Sequence, residues 1–204
     1  MKRQAVLILL LFTTNLFLFS QEKVNPGAFH KQLKAQEEKI LIKGASNINK
    51  WESLVGHADA KLILHSSNKI NNFQRINDAS TLIDTLFIKI KVTDIKSGKK
   101  KMDRITHKAL KSSEYPYIIF SYETNNNTFL TSQTISGKLT VAGITKKITT
   151  QIIFNKEPSS LTLKGIHRID MTAFGVKPPS LFLGLIKAKK EIDVDFTLRF
   201  VSSF

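Results

Sequence analysis

The side chains that most often carry chemistry are sparse in this chain and poorly spaced for it. It contains no cysteine, which removes disulfides, thiolate metal ligands and cysteine nucleophiles. Its histidines, at positions 30, 57, 65, 107 and 167, show neither HxH nor HxxxH spacing, so a metal site would need distant residues to converge. Asp193 and Asp195 lie two apart on what reads as the polar face of the last strand. A catalytic carboxylate pair faces a pocket; these face outward. No nucleophile-elbow serine and no phosphate-cradling glycine loop is present. The sequence points away from an enzyme, and no catalytic or metal residue is assigned. What it has in quantity is apolar surface with a period of two.

The residues suited to that surface's chemistry, the enclosure of an apolar molecule, lie on the alternating faces. Trp51, Ile118, Phe120, Leu139, Phe154 and Phe196 are each either plain core packing or part of a tunnel wall. Residues 174–182, FGVKPPSLF, add Phe174, Leu181 and Phe182 on a stretch that two prolines stiffen. Such a stretch suits either a barrel mouth or a corner between strands. Lys177, Lys187 and Lys189 are the candidates for holding an acidic head group on an otherwise apolar ligand.

Nearly all of these residues fall on segments that read as strands. Ile40, Ile42 and Gly44 share one face; so do Ala58, Ala60, Leu62 and Leu64 in the next segment, which Gly56 is expected to bend. Residues 66–80 are polar and asparagine-rich and read as a long connection. Leu86, Ile88 and Ile90 alternate with Phe87, Lys89 and Lys91, one face buried and the other wet. After a KSGKKK loop, Met102, Ile105, Ala109 and Leu110 recur at helical spacing, and beyond Pro116 the period returns to two through Ile118, Phe120 and Tyr122. Ile135 to Val141 and Ile148 to Phe154 form the clearest hairpin, about Ala142-Gly143. Leu161 to Ile169 and Ile192 to Phe200 complete about eight strands. Eight such strands close into a barrel, filled or holding one small ligand; a two-sheet sandwich gives the same alternation.

Composition sets the outer limits. A chain of 204 residues with 42% hydrophobic content is one ordinary domain with a real core. Residues 1–20 carry Lys2 and Arg3 before an apolar run, the pattern of a cleaved signal peptide, and imply export to the periplasm or beyond. Residues 21–38 read as an N-terminal arm and 39–204 as the folded domain. The formal charge is +15, and loss of Lys2 and Arg3 with no acid leaves +13. That charge favours anionic partners, an acidic membrane surface among them, although a solvated lysine-rich surface is the plainer account. Arginine–aromatic motifs for nucleic acid are absent.

Four stretches in order, residues 44–51 (GASNINKW), 109–122 (ALKSSEYPYIIFSY), 137–148 (GKLTVAGITKKI) and 171–200, together resemble the YceI-like family of secreted lipid- and polyisoprenoid-binding proteins. The resemblance implies an all-β fold: an extended, lipocalin-like, eight-stranded antiparallel barrel with an apolar tunnel, its one short helix covering or flanking the barrel. It implies a long-chain isoprenoid or related lipid as ligand and no other cofactor. The connection at 66–80 is longer, and the segment KSSEYP shorter, than the family's usual form. The rival reading is a filled barrel acting through its basic surface on anionic lipid or polysaccharide in the cell envelope. The oligomeric state stays open, a dimer among the options.

Overall fold

The computed structural model describes residues 29–66, 69–75, 81–123, 134–181 and 184–202. Twelve strand segments occur among them: β1 (Phe29–Ser46), β2 (Lys50–Val55), β3 (Ala58–Ser66), β4 (Thr81–Lys91), β5 (Ile95–Lys96), β6 (Tyr117–Glu123), β7 (Thr134–Val141), β8 (Ile144–Gln151), β9 (Ile153–Lys156), β10 (Ser160–Asp170), β11 (Ser180–Leu181) and β12 (Ile186–Val201). Helix α1 (Lys100–Ala109) lies between β5 and β6.

The segments group into eight long antiparallel runs. β2 and β3 are two halves of one run, broken at Gly56 and His57, because Leu41–Leu54 and Phe29–Ser66 belong to the same hairpin register with β1. The Gly56 amide turns aside there to donate to the Asp94 carbonyl at 2.8 Å, so the expected bend is real. β4 and β5 likewise form one run along residues 81–96, interrupted by a single 3-10 turn at Val92–Asp94. The sheet order is β8-β7-β6-β4-β3-β1-β12-β10-β9. Every run therefore neighbours its predecessor in the chain, and β12 returns to β1. β8 and β9, the two ends of that order, are separated in sequence by Ile152 alone. The sheet has curled round to meet itself, so the sandwich alternative falls away.

Closure is uneven. β9 pairs with β10 from Lys164–Ile153 to Leu161–Lys156, but no ladder joins the rest of β10 to β8 among the described residues. The end near Leu161 is sealed; the end near Ile144 and Asp170 is parted. We call these the lower and upper ends. β1 begins at Phe29, so Phe29 to Glu38, which the sequence reading places in an N-terminal arm, are strand. Alternation already runs through Leu33 and Ala35, both buried, but a β-bulge between Ala35 and Glu37 moves the inward positions to Ile40 and Ile42 and breaks the period.

The lower half is packed solid. Leu33, Leu62, Leu64, Ile83, Leu161, Leu163, Leu198 and Phe200 are buried there. The connection between β3 and β4 is more than a loop. A 3-10 turn, Phe73–Arg75, drives Phe73 fully into the core beside buried Ile70, and the Phe73 amide donates to the Pro158 carbonyl at 3.0 Å. This segment plugs the lower end.

The upper half is spanned by α1. Asp103 Oδ1 accepts from the Ser97 amide at 2.7 Å and its hydroxyl at 2.6 Å, which holds the Asp103 carboxyl below its usual range. His107 Nε2 lies 2.9 Å from the Ile95 carbonyl. After the helix Lys111 sits at φ 52, a left-handed conformation that disfavours any residue with a Cβ. Replacing exposed Lys111 by glycine is expected to stabilise the fold by about 0.5–1 kcal/mol. Denaturant unfolding measures this, and a lower midpoint would contradict it.

On the outer wall the acids of β12 meet cations of both neighbouring strands: Lys43 Nζ reaches Asp195 at 2.7 Å, and Arg168 holds Asp193 through Nε at 2.8 Å and Nη2 at 3.1 Å. All four are substantially exposed, so these pairs set register more than stability. They also account for Asp193 and Asp195 without any catalytic role.

Candidate ligand cavity

A cavity of about 500 Å³ occupies the upper half of the barrel beneath α1. Its walls follow from strand alternation. Ile40 and Ile42 of β1, Ile88 and Ile90 of β4, Ile118 of β6, and Ile192 and Val194 of β12 point inward into it. These β-branched side chains have little rotamer freedom, so the wall does not collapse readily. The floor is set by Leu86, Ile135, Ile152 and Leu163, all buried, above the packed lower half. The interior is thus hollow above and filled below, and the fully packed barrel of the rival reading describes only its lower half.

The roof is the apolar side of α1. Met102, Ile105, Thr106, Ala109 and Leu110 line the cavity, yet no residue of the helix is buried. An amphipathic helix ordinarily buries its stripe against a core; here Ala109 and Leu110 pack against the core at one end, and the stripe as a whole stays half-buried over the cavity.

The wall is smooth because three aromatic rings lie across inward-facing glycines of adjacent strands. Trp51 covers Gly44, its pairing partner in β1; a Cβ there would lie 2.6 Å from the indole Cε2. Phe120 covers Gly137, with Cε2 at 2.7 Å from such a Cβ, and Phe196 covers Gly165, with Cζ at 2.5 Å. Each ring occupies the space where a side chain is missing and so lies along the wall instead of standing into the lumen.

Polar groups are few. Lys50, Lys99 and Lys101 lie toward the mouth with Ser46 and Asn49, and Ser53, Thr106, Thr150 and His167 are deeper or lateral; among the described residues no aspartate or glutamate lines the cavity. Among the described residues no three His, Asp or Glu side chains gather as a metal site. Such a lining can enclose an apolar molecule and orient one polar end.

The match to a family model decides the assignment: the YceI-like domain is matched over residues 46–200. The chain belongs to the YceI-like family. Solved structures agree on the fold. Burkholderia cenocepacia BcnA superposes with a TM-score of 0.62 at 16% identity, covering 79% of this chain and 95% of that one. A polyisoprenoid binding domain from Saccharophagus degradans, implicated in plant cell wall breakdown, gives 0.60 at 9% identity over 87% of this chain and 99% of its own. The YCEI protein of Campylobacter jejuni gives 0.54 at 13% identity over 78% and 85%. No curated protein matches the chain.

Within this YceI-like barrel the expected tunnel residues divide. Trp51, Ile118, Phe120, Leu139, Phe174 and Phe196 line the cavity. Phe154 does not; it packs against the core on β9, below the floor. Leu181 pairs through its backbone with Ile186, and Phe182 lies outside the described residues. Lys177, Lys187 and Lys189 are exposed and do not line the cavity. Strand alternation explains the miss for Lys187 and Lys189, since Ile186 and Ala188 are the inward neighbours. Lys50, Lys99 and Lys101 take the lining positions instead, and the lysine-rich loop before α1 was the available signal.

His167 sits on the inward face of β10, between Gly165 and Ile169, as the alternation of that strand predicts. It pairs with Val194 across the ladder, lines the cavity and is half-buried, which pushes its pKa below the ordinary 6.5. The titratable groups sharing the cavity are Lys50, Lys99 and Lys101, and none favours a second positive charge. Below pH 6.5 the unfolded chain takes up the proton more readily than the folded one, so stability falls with acidification through that window. Filling the cavity with an apolar ligand removes more water and widens the gap. Affinity for an apolar probe is therefore expected to be flat above about pH 7 and to drop below about pH 6, and His167→Leu should flatten the profile. An unchanged acid limb in that variant would assign the effect elsewhere.

Proposed function

We propose that this protein is an exported holder of a long-chain apolar lipid of the polyisoprenoid class, carried in the upper half of its barrel. The observation that carries this reading is the apolar cavity roofed by a helix whose apolar side is only half-buried. A volume of about 500 Å³ lies within the range of small-molecule sites, roughly 300–1,000 Å³. A chain threaded there completes the burial of Met102, Ile105 and Leu110. The polyisoprenoid-binding neighbour on the same fold supports the lipid class. Contacts are mostly non-polar, and selectivity follows the shape of the wall. An acidic or hydroxyl head lies toward Lys50, Lys99 and Lys101. Lys177, Lys187 and Lys189 are left to the outer rim. The chemistry is binding, not turnover.

Export rests on residues 1–20, and periplasmic or secreted placement on the cleavage of that segment. No helix among the described residues is long and apolar enough to cross a membrane. The high positive charge supports an envelope setting rich in anionic surfaces.

The test uses the chain's only tryptophan, Trp51, which lines the cavity. Titration with a long polyprenol should change its emission saturably at one ligand per chain, with a midpoint that hardly moves between low and roughly 0.5 M salt. No change in emission, or binding that salt abolishes, would reject the cavity as the site.

A further inference from the structure

We propose that the upper rim of the barrel is a docking surface for an anionic lipid bilayer, placed so that the cavity mouth opens onto the membrane. The rim consists of three segments: the β1–β2 turn, residues 47–50; the start of α1, residues 99–101; and residues 184–187 leading into β12. The first and last are fastened together. Asn47 Nδ2 donates to the Leu185 carbonyl at 2.8 Å, the Asn47 amide donates to the Lys187 carbonyl at 3.1 Å, and the Lys187 amide donates to Asn47 Oδ1 at 2.9 Å. Ordered backbone therefore presents two large apolar side chains to water. Leu185 is 76% exposed and Ile48 59% exposed. Gly184, at φ 93, supplies the left-handed turn that precedes Leu185.

These tips stand among cations. The three segments contribute Lys50, Lys99, Lys100, Lys101 and Lys187 and contain no acid. Lys50, Lys99, Lys100 and Lys187 have no carboxylate partner among the described residues. The charge continues down the outer side of α1 through Arg104 and Lys108, which line a second, shallow groove. The carboxylate in that groove, Asp103, already accepts two hydrogen bonds from Ser97. Exposed apolar tips beside Lys50, Lys99, Lys100 and Lys187 fit a surface that is negatively charged at its face and apolar just beneath it. A packed protein partner would supply acids to meet the lysines. A bilayer supplies phosphates and acyl chains together, and it is where a long apolar ligand resides. Ile48 and Lys50 line the cavity as well as the rim, so the docked face and the mouth are continuous. The proposal rests on the mouth being at this end but not on which lipid enters.

The experiment is flotation of the protein, as purified from its host, with vesicles of phosphatidylcholine alone and of an equal mixture with phosphatidylglycerol. Lys100→Gln, Lys187→Gln and Leu185→Ser are tested beside it; none of these residues lines the cavity. Association with the anionic vesicles alone is expected, weakening about fivefold for each lysine replaced and about tenfold for Leu185→Ser. Polyprenol titration of Trp51 should stay unchanged in all three, which separates failure of docking from failure of the cavity reading. Equal binding to both vesicle types, or anionic binding that ignores the three substitutions, would overturn the proposal. So would sedimentation showing a dimer that Leu185→Ser dissolves, since the rim would then face a second copy of the chain.

Discussion

Replacing Gly44 by alanine is expected to close much of the cavity with a single methyl group. The added Cβ would meet the Trp51 indole at 2.6 Å from Cε2 and 2.7 Å from Cη2, well inside van der Waals contact. The ring must leave the wall. The backbone of β1 lies behind it, so the open direction is the lumen. Overpacking of this kind costs about 1–3 kcal/mol, and a large aromatic ring swung into the lumen takes the space of several ligand carbons. The expected result is a loss of at least about tenfold in polyprenol affinity together with lower stability. Trp51→Leu placed in the same chain should recover most of both, because the pair interacts directly and the two effects are not additive. The check is a double-mutant cycle read by denaturant unfolding and by displacement of a fluorescent apolar probe. Unchanged affinity in Gly44→Ala would mean that the ring has another place to go and that the smooth wall does not set capacity.

The largest stability effect is expected at the other end. Phe73→Ala removes a fully buried ring from the 3-10 turn that plugs the lower half. Buried Phe→Ala changes cost about 3–5 kcal/mol, against a total of about 5–15 for a domain. The buried core it joins is built mainly of strand residues such as Leu62, Leu64, Ile83 and Phe200, held by their ladders, so the void cannot fully relax. The unfolding midpoint should fall sharply while ligand capacity in the upper half persists in whatever protein remains folded. A loss below about 1 kcal/mol would show that residues 69–75 are an ornament on the barrel and not its plug.

How much of this was legible beforehand depended on whether the signal was local. The faces of β12, with Ile192, Val194 and Phe196 inward and Asp193 and Asp195 outward, could be read directly, because a period of two needs no partner to be visible. The same holds for the apolar stripe of α1, through Met102, Ile105 and Ala109. The YceI-like motifs supplied the order and closure of the strands, which alternation alone does not. Harder to see was anything that needs register. Gly44, Gly137 and Gly165 look like weak points in strands until the residue opposite or diagonal to each is known to be aromatic. Ile70 and Phe73, three apart in an asparagine-rich stretch, are too short a pattern to announce a plug. The partial closure between β8 and β10, which leaves the upper end open, has no sequence signature beyond the exposed Ile144 and Ile166. For the head-group lysines the difficulty was one of side: Lys187 and Lys189 were near in sequence to the mouth but on the outer positions of their strand.

The central claim, that the upper half of the barrel is filled in life by a long apolar molecule, is tested most directly by organic extraction and mass spectrometry of the protein purified from its host. About one isoprenoid or other long-chain lipid per chain is expected, with an amount that falls in Gly44→Ala. Protein that yields no lipid, and that stays empty after incubation with a range of prenyl lipids, would contradict it.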